Sequence, residues 1–82
     1  MLINYIEAAM HKAHYEYLAN DKEFYGEIEA TRGVWATGDT LEACRDELKE
    51  VLEDWILISI NKNIPLPVID GISIALKPEL NA

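Results

Sequence analysis

Apolar residues recur at Leu2, Ile3, Ile6, Met10 and Ala13, a helical spacing that predicts a helix over residues 2–13. Its other face carries Asn4, Glu7, His11 and Lys12. From His14 the pattern alternates instead. In "HYEYLA", Tyr15 and Tyr17 fall on one side and His14, Glu16 and Leu18 on the other. "NDKE" has the composition of a turn, and "FYGEIEA" alternates again, with Phe24, Gly26, Ile28 and Ala30 opposed to Tyr25, Glu27 and Glu29. Two alternating runs joined by a short polar loop predict a β-hairpin. "TRG" breaks the run and "VWAT" resumes it, so a three-strand antiparallel meander is expected. Gly33 and Gly38 are assigned to the turns flanking the third strand.

A long helix follows. Asp39 and Thr40 both suit its N-cap, and Glu42 stands at capping-box spacing from Asp39. Leu41, Cys44, Leu48, Val51, Leu52 and Trp55 form one apolar stripe. The opposite face holds Glu42, Arg45, Asp46, Glu47, Lys49, Glu50, Glu53 and Asp54, a net charge of −4. "WILISI" is then apolar on all sides, which calls for cover on more than one side, from the first helix or from a second copy of the chain. "IPLP" stops the helix. Ile72, Ile74 and Leu76 alternate, so a last strand is expected over 68–78. The order is α-β-β-β-α-β: a single α+β domain, with helices packed on one face of an antiparallel meander.

Charge changes the picture next. Fifteen acidic residues against seven basic ones give −8, and no Lys or Arg cluster exists. Direct nucleic-acid binding is not expected, because phosphate recognition needs a basic patch. A basic protein partner would be attracted. The single cysteine, Cys44, forbids an intrachain disulfide and fits a reducing compartment. The N-terminus lacks the charged start and apolar run of a secretory signal, and "WILISI" is too short to span a bilayer. A cytoplasmic protein is expected.

Candidate chemistry is sparse. Glu27 and Glu29 lie two apart on one predicted strand, and Glu16 on its neighbour. Alternation alone produces such pairs on a solvated face, whereas two-metal chemistry needs carboxylates converging in a pocket. His11 and His14 are too few for a metal centre, and Cys44 lies in the buried stripe, away from an activating base. The glycines are dispersed, so there is no phosphate loop. The seven aromatics, Tyr5, Tyr15, Tyr17, Phe24, Tyr25, Trp35 and Trp55, are assigned to core and interface. No cofactor, metal or catalytic residue is expected.

The order of these motifs resembles the HicB-like antitoxin family: the aromatic–acid strand Tyr25–Glu29, Gly33, Gly38-Asp39-Thr40, the amphipathic helix Leu41–Ile60, and Pro65-Leu66-Pro67. The resemblance covers residues 14–67. It implies a partial, degenerate ribonuclease-H-like fold. It also implies a non-enzymatic domain that neutralises a small basic RNA-cleaving toxin of the HicA kind. The partner-binding residues so implied are Tyr25, Glu27, Glu29, Glu47, Glu50 and Asp54. The sequence departs from the family pattern in the loop "EATR", in the helix that precedes the first strand, and in having fifteen residues after Pro67, too few for a DNA-binding helix-turn-helix. A homo-oligomer is expected from "WILISI" and the aromatic content. The rival readings are a small metal-dependent ribonuclease-H-like nuclease relying on Glu16, Glu27 and Glu29, and an oligomerising domain with no toxin partner.

Overall fold

The computed structural model describes residues 2–31 and 33–74. The elements are α1 (Leu2–His11), β1 (His14–Leu18), β2 (Glu23–Ile28), β3 (Val34–Gly38) and α2 (Leu41–Asn61), with a 3-10 turn at Glu29–Thr31. The strands form one antiparallel sheet in the order β1-β2-β3. The α+β meander expected from the sequence is therefore present. Among the described residues no helix is long and apolar enough to cross a membrane.

Register assigns the two faces of the sheet. Tyr15, Gly26 and Ala36 form one cross-strand row, and His14, Glu27 and Trp35 form the next row on the opposite face. The first face packs on α2, which buries Ile28, Val34 and Ala36 under Cys44, Leu48 and Leu52. Here two glycines matter for space. A Cβ on Gly38 would lie 2.8 Å from the Cα of Cys44 and 2.9 Å from the carbonyl carbon of Ala43. A Cβ on Gly26 would lie 2.8 Å from the Tyr15 ring and 3.2 Å from Cys44 Sγ. Gly38 is thus required for close approach of helix to sheet, not for a turn conformation as its position suggested. Gly33, with φ +96°, does serve the turn before β3.

The limits of α2 have local causes. Thr40, not Asp39, is the N-cap: its Oγ1 accepts from Ala43 N at 3.0 Å. At the other end Asn63 N–H donates to Ile60 O and Ile64 N–H to Ser59 O, with Asn63 at φ 55°. This is a Schellman cap with Asn in the left-handed position, followed at once by Pro65. Leu41, expected in the buried stripe, is 45% exposed, because the stripe meets the sheet only from Cys44 onward.

The second half of α2 is covered by α1 and the chain after Pro67. In α1 the buried residues are Tyr5 and Ala9, one turn apart. Leu2 and Ile3 are exposed, and the helix ends at His11 rather than at residue 13. Tyr5, Ala9, Leu52, Ile56, Leu66 and Ile69 share one buried cluster with the sheet residues. The Tyr5 hydroxyl donates to Pro67 O at 2.6 Å, pinning the proline segment to α1. Burial raises the Tyr5 hydroxyl above its ordinary pKa.

No strand runs over the described part of 68–78. Ile69 and Ile72 instead exchange both backbone hydrogen bonds, at 3.1 and 2.8 Å, around Asp70 and Gly71 at φ 51° and 75°. Two successive positive φ values make the tight turn that Asp-Gly favours, and the chain reverses there. Residues 75–78 lie outside the described residues. Lys12 Nζ meets Asp70 Oδ1 at 3.0 Å, but both side chains are half-exposed, so this ion pair contributes about 0–1 kcal/mol.

Two stability predictions follow from this packing. Gly38→Ala is expected to destabilise the domain by about 1–3 kcal/mol, the range for a forced core addition. Gly26→Ala should cost less, since the Tyr15 ring can turn aside while the Cys44 backbone cannot. Urea midpoints compare the two, and an equal loss would contradict the backbone argument. Tyr5→Phe is expected to cost about 1–3 kcal/mol by leaving a partly buried carbonyl unsatisfied. Thermal unfolding by circular dichroism measures it.

Candidate interaction surface

The second face of the sheet carries His14, Glu16 and Leu18 from β1, Glu23, Tyr25 and Glu27 from β2, and Trp35 and Thr37 from β3. Both α2 and Tyr15 lie on the other side. The apolar positions of β2 and β3 are spent on α2, so the alternation leaves acids and aromatics here. Trp35 is 55% exposed. Its ring stacks on that of Tyr25, with centroids 6.0 Å apart and an interplanar angle of 26°. The Tyr25 hydroxyl donates to Glu27 Oε1 at 2.8 Å. That hydrogen bond is the main reason the Tyr25 hydroxyl lies above its ordinary value, with burial and the charges of Glu27 and Glu16 adding to it. The result is a fixed aromatic pair with a carboxylate held against it.

The six partner-binding residues expected from the sequence do not all meet. Tyr25 and Glu27 are joined directly. Glu47 reaches the same neighbourhood from α2: together with Val51 it lines a cleft of about 570 Å³ against Trp35, Ala36 and Thr37. Glu50 and Asp54 are exposed on α2, four residues apart, and no described contact links them to the sheet face. Glu29 does not share the strand face with Glu27. The strand ends at Ile28, where Thr31 Oγ1 donates to the Ile28 carbonyl at 2.9 Å and turns the chain. Glu29 lies instead beside the α1–β1 connection, with His11, Lys12 and His14.

Trp35 is the residue that sequence reasoning failed to single out. Its place opposite Glu27, in a short strand whose other parity is Val34 and Ala36, was the available signal. The general tendency of tryptophan to be mostly buried concealed it.

Other features are less specific. Ile3, Ile6 and Met10 of α1 and Arg45, Lys49 and Glu53 of α2 line a groove of about 700 Å³ with charges of both signs. Cys44 is buried, with Sγ donating to Ala36 O at 3.6 Å, and burial pushes its thiol up, aided by the Glu23 charge. That environment suits a core residue rather than a nucleophile. Among the described residues no three His, Cys, Asp or Glu side chains are grouped to hold a metal ion.

The Tyr25–Glu27 pair predicts a pH response. The folded pKa of Tyr25 lies above the ordinary 10.0. The pair's contribution to stability is therefore complete below that value and is lost as pH rises through the raised one. Tyrosinate absorbance should show the titration of one tyrosine move down in Glu27→Gln. An unchanged titration would mean that the hydrogen bond does not hold in solution.

Comparison with known proteins places this geometry among relatives. A family model described as UPF0150-like matches residues 4–67. The crystal structure of TTHA0281 from Thermus thermophilus is 41% identical in sequence, with a TM-score of 0.87 over 94% of this chain and 95% of that one. No curated protein matches.

Proposed function

The chain belongs to the UPF0150-like family, and we propose that within it this protein is a HicB-like, antitoxin-type binding domain that neutralises a small basic RNA-cleaving toxin. The observation that carries the reading is the uncovered sheet face, where Tyr25 and Trp35 stack beside Glu27. Stacked, half-exposed aromatics are the residue types that dominate interface energetics, and a pre-set pair loses little side-chain freedom on binding. The surrounding acids, Glu16, Glu23 and Glu27 on the sheet with Glu47 at its rim, suit a partner rich in Lys and Arg. A chain of net charge −8 would speed that encounter at low salt. The motif order from Tyr25 to Pro67 adds the family-level expectation of a HicA-like partner. No chemistry is assigned to the protein, and its role would be to cover the toxin's RNA-binding surface.

Co-expression with a small basic protein encoded beside the gene tests this. Growth rescue and co-purification are expected. Trp35→Ala should weaken the complex by about 2 kcal/mol or more, the hot-spot range. Glu27→Lys should slow association, and the wild-type complex should weaken as salt rises. Cleavage of RNA or a DNA–RNA hybrid in magnesium or manganese, lost in Glu27→Gln, would instead make the protein a nuclease and overturn the reading.

A further inference from the structure

Carboxylates border the aromatic pair of the open face on more than one side. Register sets Glu27 directly across from Trp35, and Glu16 directly across from Tyr25. From α2, Glu47 lines the same cleft as Trp35. The indole is 55% exposed and lies nearly parallel to the Tyr25 ring. Glu27 Oε1 accepts the Tyr25 hydroxyl, which fixes the carboxylate beside the rings. A carboxylate offers about four lone-pair sites. Among the described residues Glu27 takes no other side-chain hydrogen bond and joins no ion pair. His14 stands across from it on β1 without pairing with it. Arg45 and Lys49 lie on the other flank of α2, in the groove toward α1. The described chain thus sets an exposed ring and fixed acids together and brings no cation of its own to them.

We propose that this site seats an arginine, rather than a lysine, of the basic protein partner, with the guanidinium stacked on the Trp35 indole and donating from its edge to Glu27. The proposal rests on the proposed function in taking the open face as the surface that meets a basic protein, and adds which side chain that face reads. An aromatic face attracts a cation placed over it, tryptophan most strongly. A guanidinium is flat and weakly hydrated, so it can lie on a ring while its in-plane N–H groups reach a carboxylate at the ring's edge. The ammonium of lysine is a compact, strongly hydrated point charge that pairs with the acids without needing the rings. The acids alone attract either cation, and the indole is what separates the two. A nucleobase also stacks on tryptophan, but it brings phosphates toward Glu16, Glu27 and Glu47, so charge opposes it.

Titration with two peptides of equal length and charge, an alternating Gly–Arg octapeptide and its Gly–Lys counterpart, tests this, with the Trp35 indole N–H resonance as the local probe. The arginine peptide is expected to bind about threefold to tenfold more tightly and to shift that resonance. Trp35→Ala should bring the two peptides to equal affinity while both keep their salt-sensitive attraction to the acids. Trp35→Phe, which keeps a ring, should retain part of the preference. Glu27→Gln should weaken the arginine peptide more than the lysine peptide. The wild-type comparison needs no variant to fold. Equal affinity of the two peptides for the wild-type protein overturns the proposal, as does a preference that survives unchanged in Trp35→Ala. A single-stranded oligonucleotide that binds at Trp35 more tightly than either peptide also overturns it, by assigning the rings to bases. Failure here and failure of the toxin reading are distinguishable. An arginine preference without growth rescue on co-expression keeps this site and removes the toxin, and rescue without an arginine preference does the reverse.

Discussion

A side chain at position 38 would fall onto the backbone of Cys44, and one at position 26 onto the Tyr15 ring, so the first turns of α2 rest on the sheet because glycine occupies both. That close approach sets the height of α2 above β2 and β3 and brings Cys44, Leu48 and Leu52 down onto Ile28, Val34 and Ala36. The rest is arranged around it. α2 is 21 residues long and the strands are five or six, so the helix overruns the sheet. Its second half needs a separate cover, which Tyr5 and Ala9 of α1, Leu66 and Ile69 provide. The hydrogen bond from Tyr5 to Pro67 ties those two pieces together.

With both helices and the closing hairpin committed to that side, the described chain has no element left for the other face of the sheet. The aromatic and acidic residues there are a consequence of topology as much as of composition. Strand alternation delivers Tyr25, Glu27 and Trp35 to the one face that no described element covers. Their mutual geometry, a stacked pair with a hydroxyl donating to a carboxylate, holds the side chains in place before any partner arrives.

Much of this was legible in the sequence, and the failures share a cause. Periodicity located the three strands and the long helix, because each element buries one face against a partner that the chain itself supplies. It located the buried face of α1 only in part: Ile6 and Met10 pack against the core, but Tyr5 and Ala9 are the residues that enter it, and Leu2 and Ile3 are exposed. A short helix that touches its neighbours along a narrow line does not need a wide apolar stripe, and a tyrosine with a hydrogen-bond acceptor can be buried as completely as an isoleucine. The strand expected over 68–78 does not form over its described part, because the left-handed backbone of Asp70 and Gly71 reverses the chain between Ile69 and Ile72. The role of Gly38 is space, whereas its position at a strand end suggests conformation. Parity alone puts Glu29 beside Glu27, and parity lapses where Thr31 ends the strand. In each case a specific backbone or side-chain contact overrode the periodic pattern, and one-dimensional spacing carries no record of such contacts.

The surface divides by charge. α2 has one flank toward α1, where Arg45 and Lys49 are mixed with Glu53, and another toward β3, where Glu47 borders Trp35. The acids that would meet a basic partner thus lie on the open face and its rim, while the uncharged strand lies at the sheet's edge. That open face has its origin in the packing of both helices on one side of the sheet, which leaves Tyr25, Glu27 and Trp35 on the side that no described element covers.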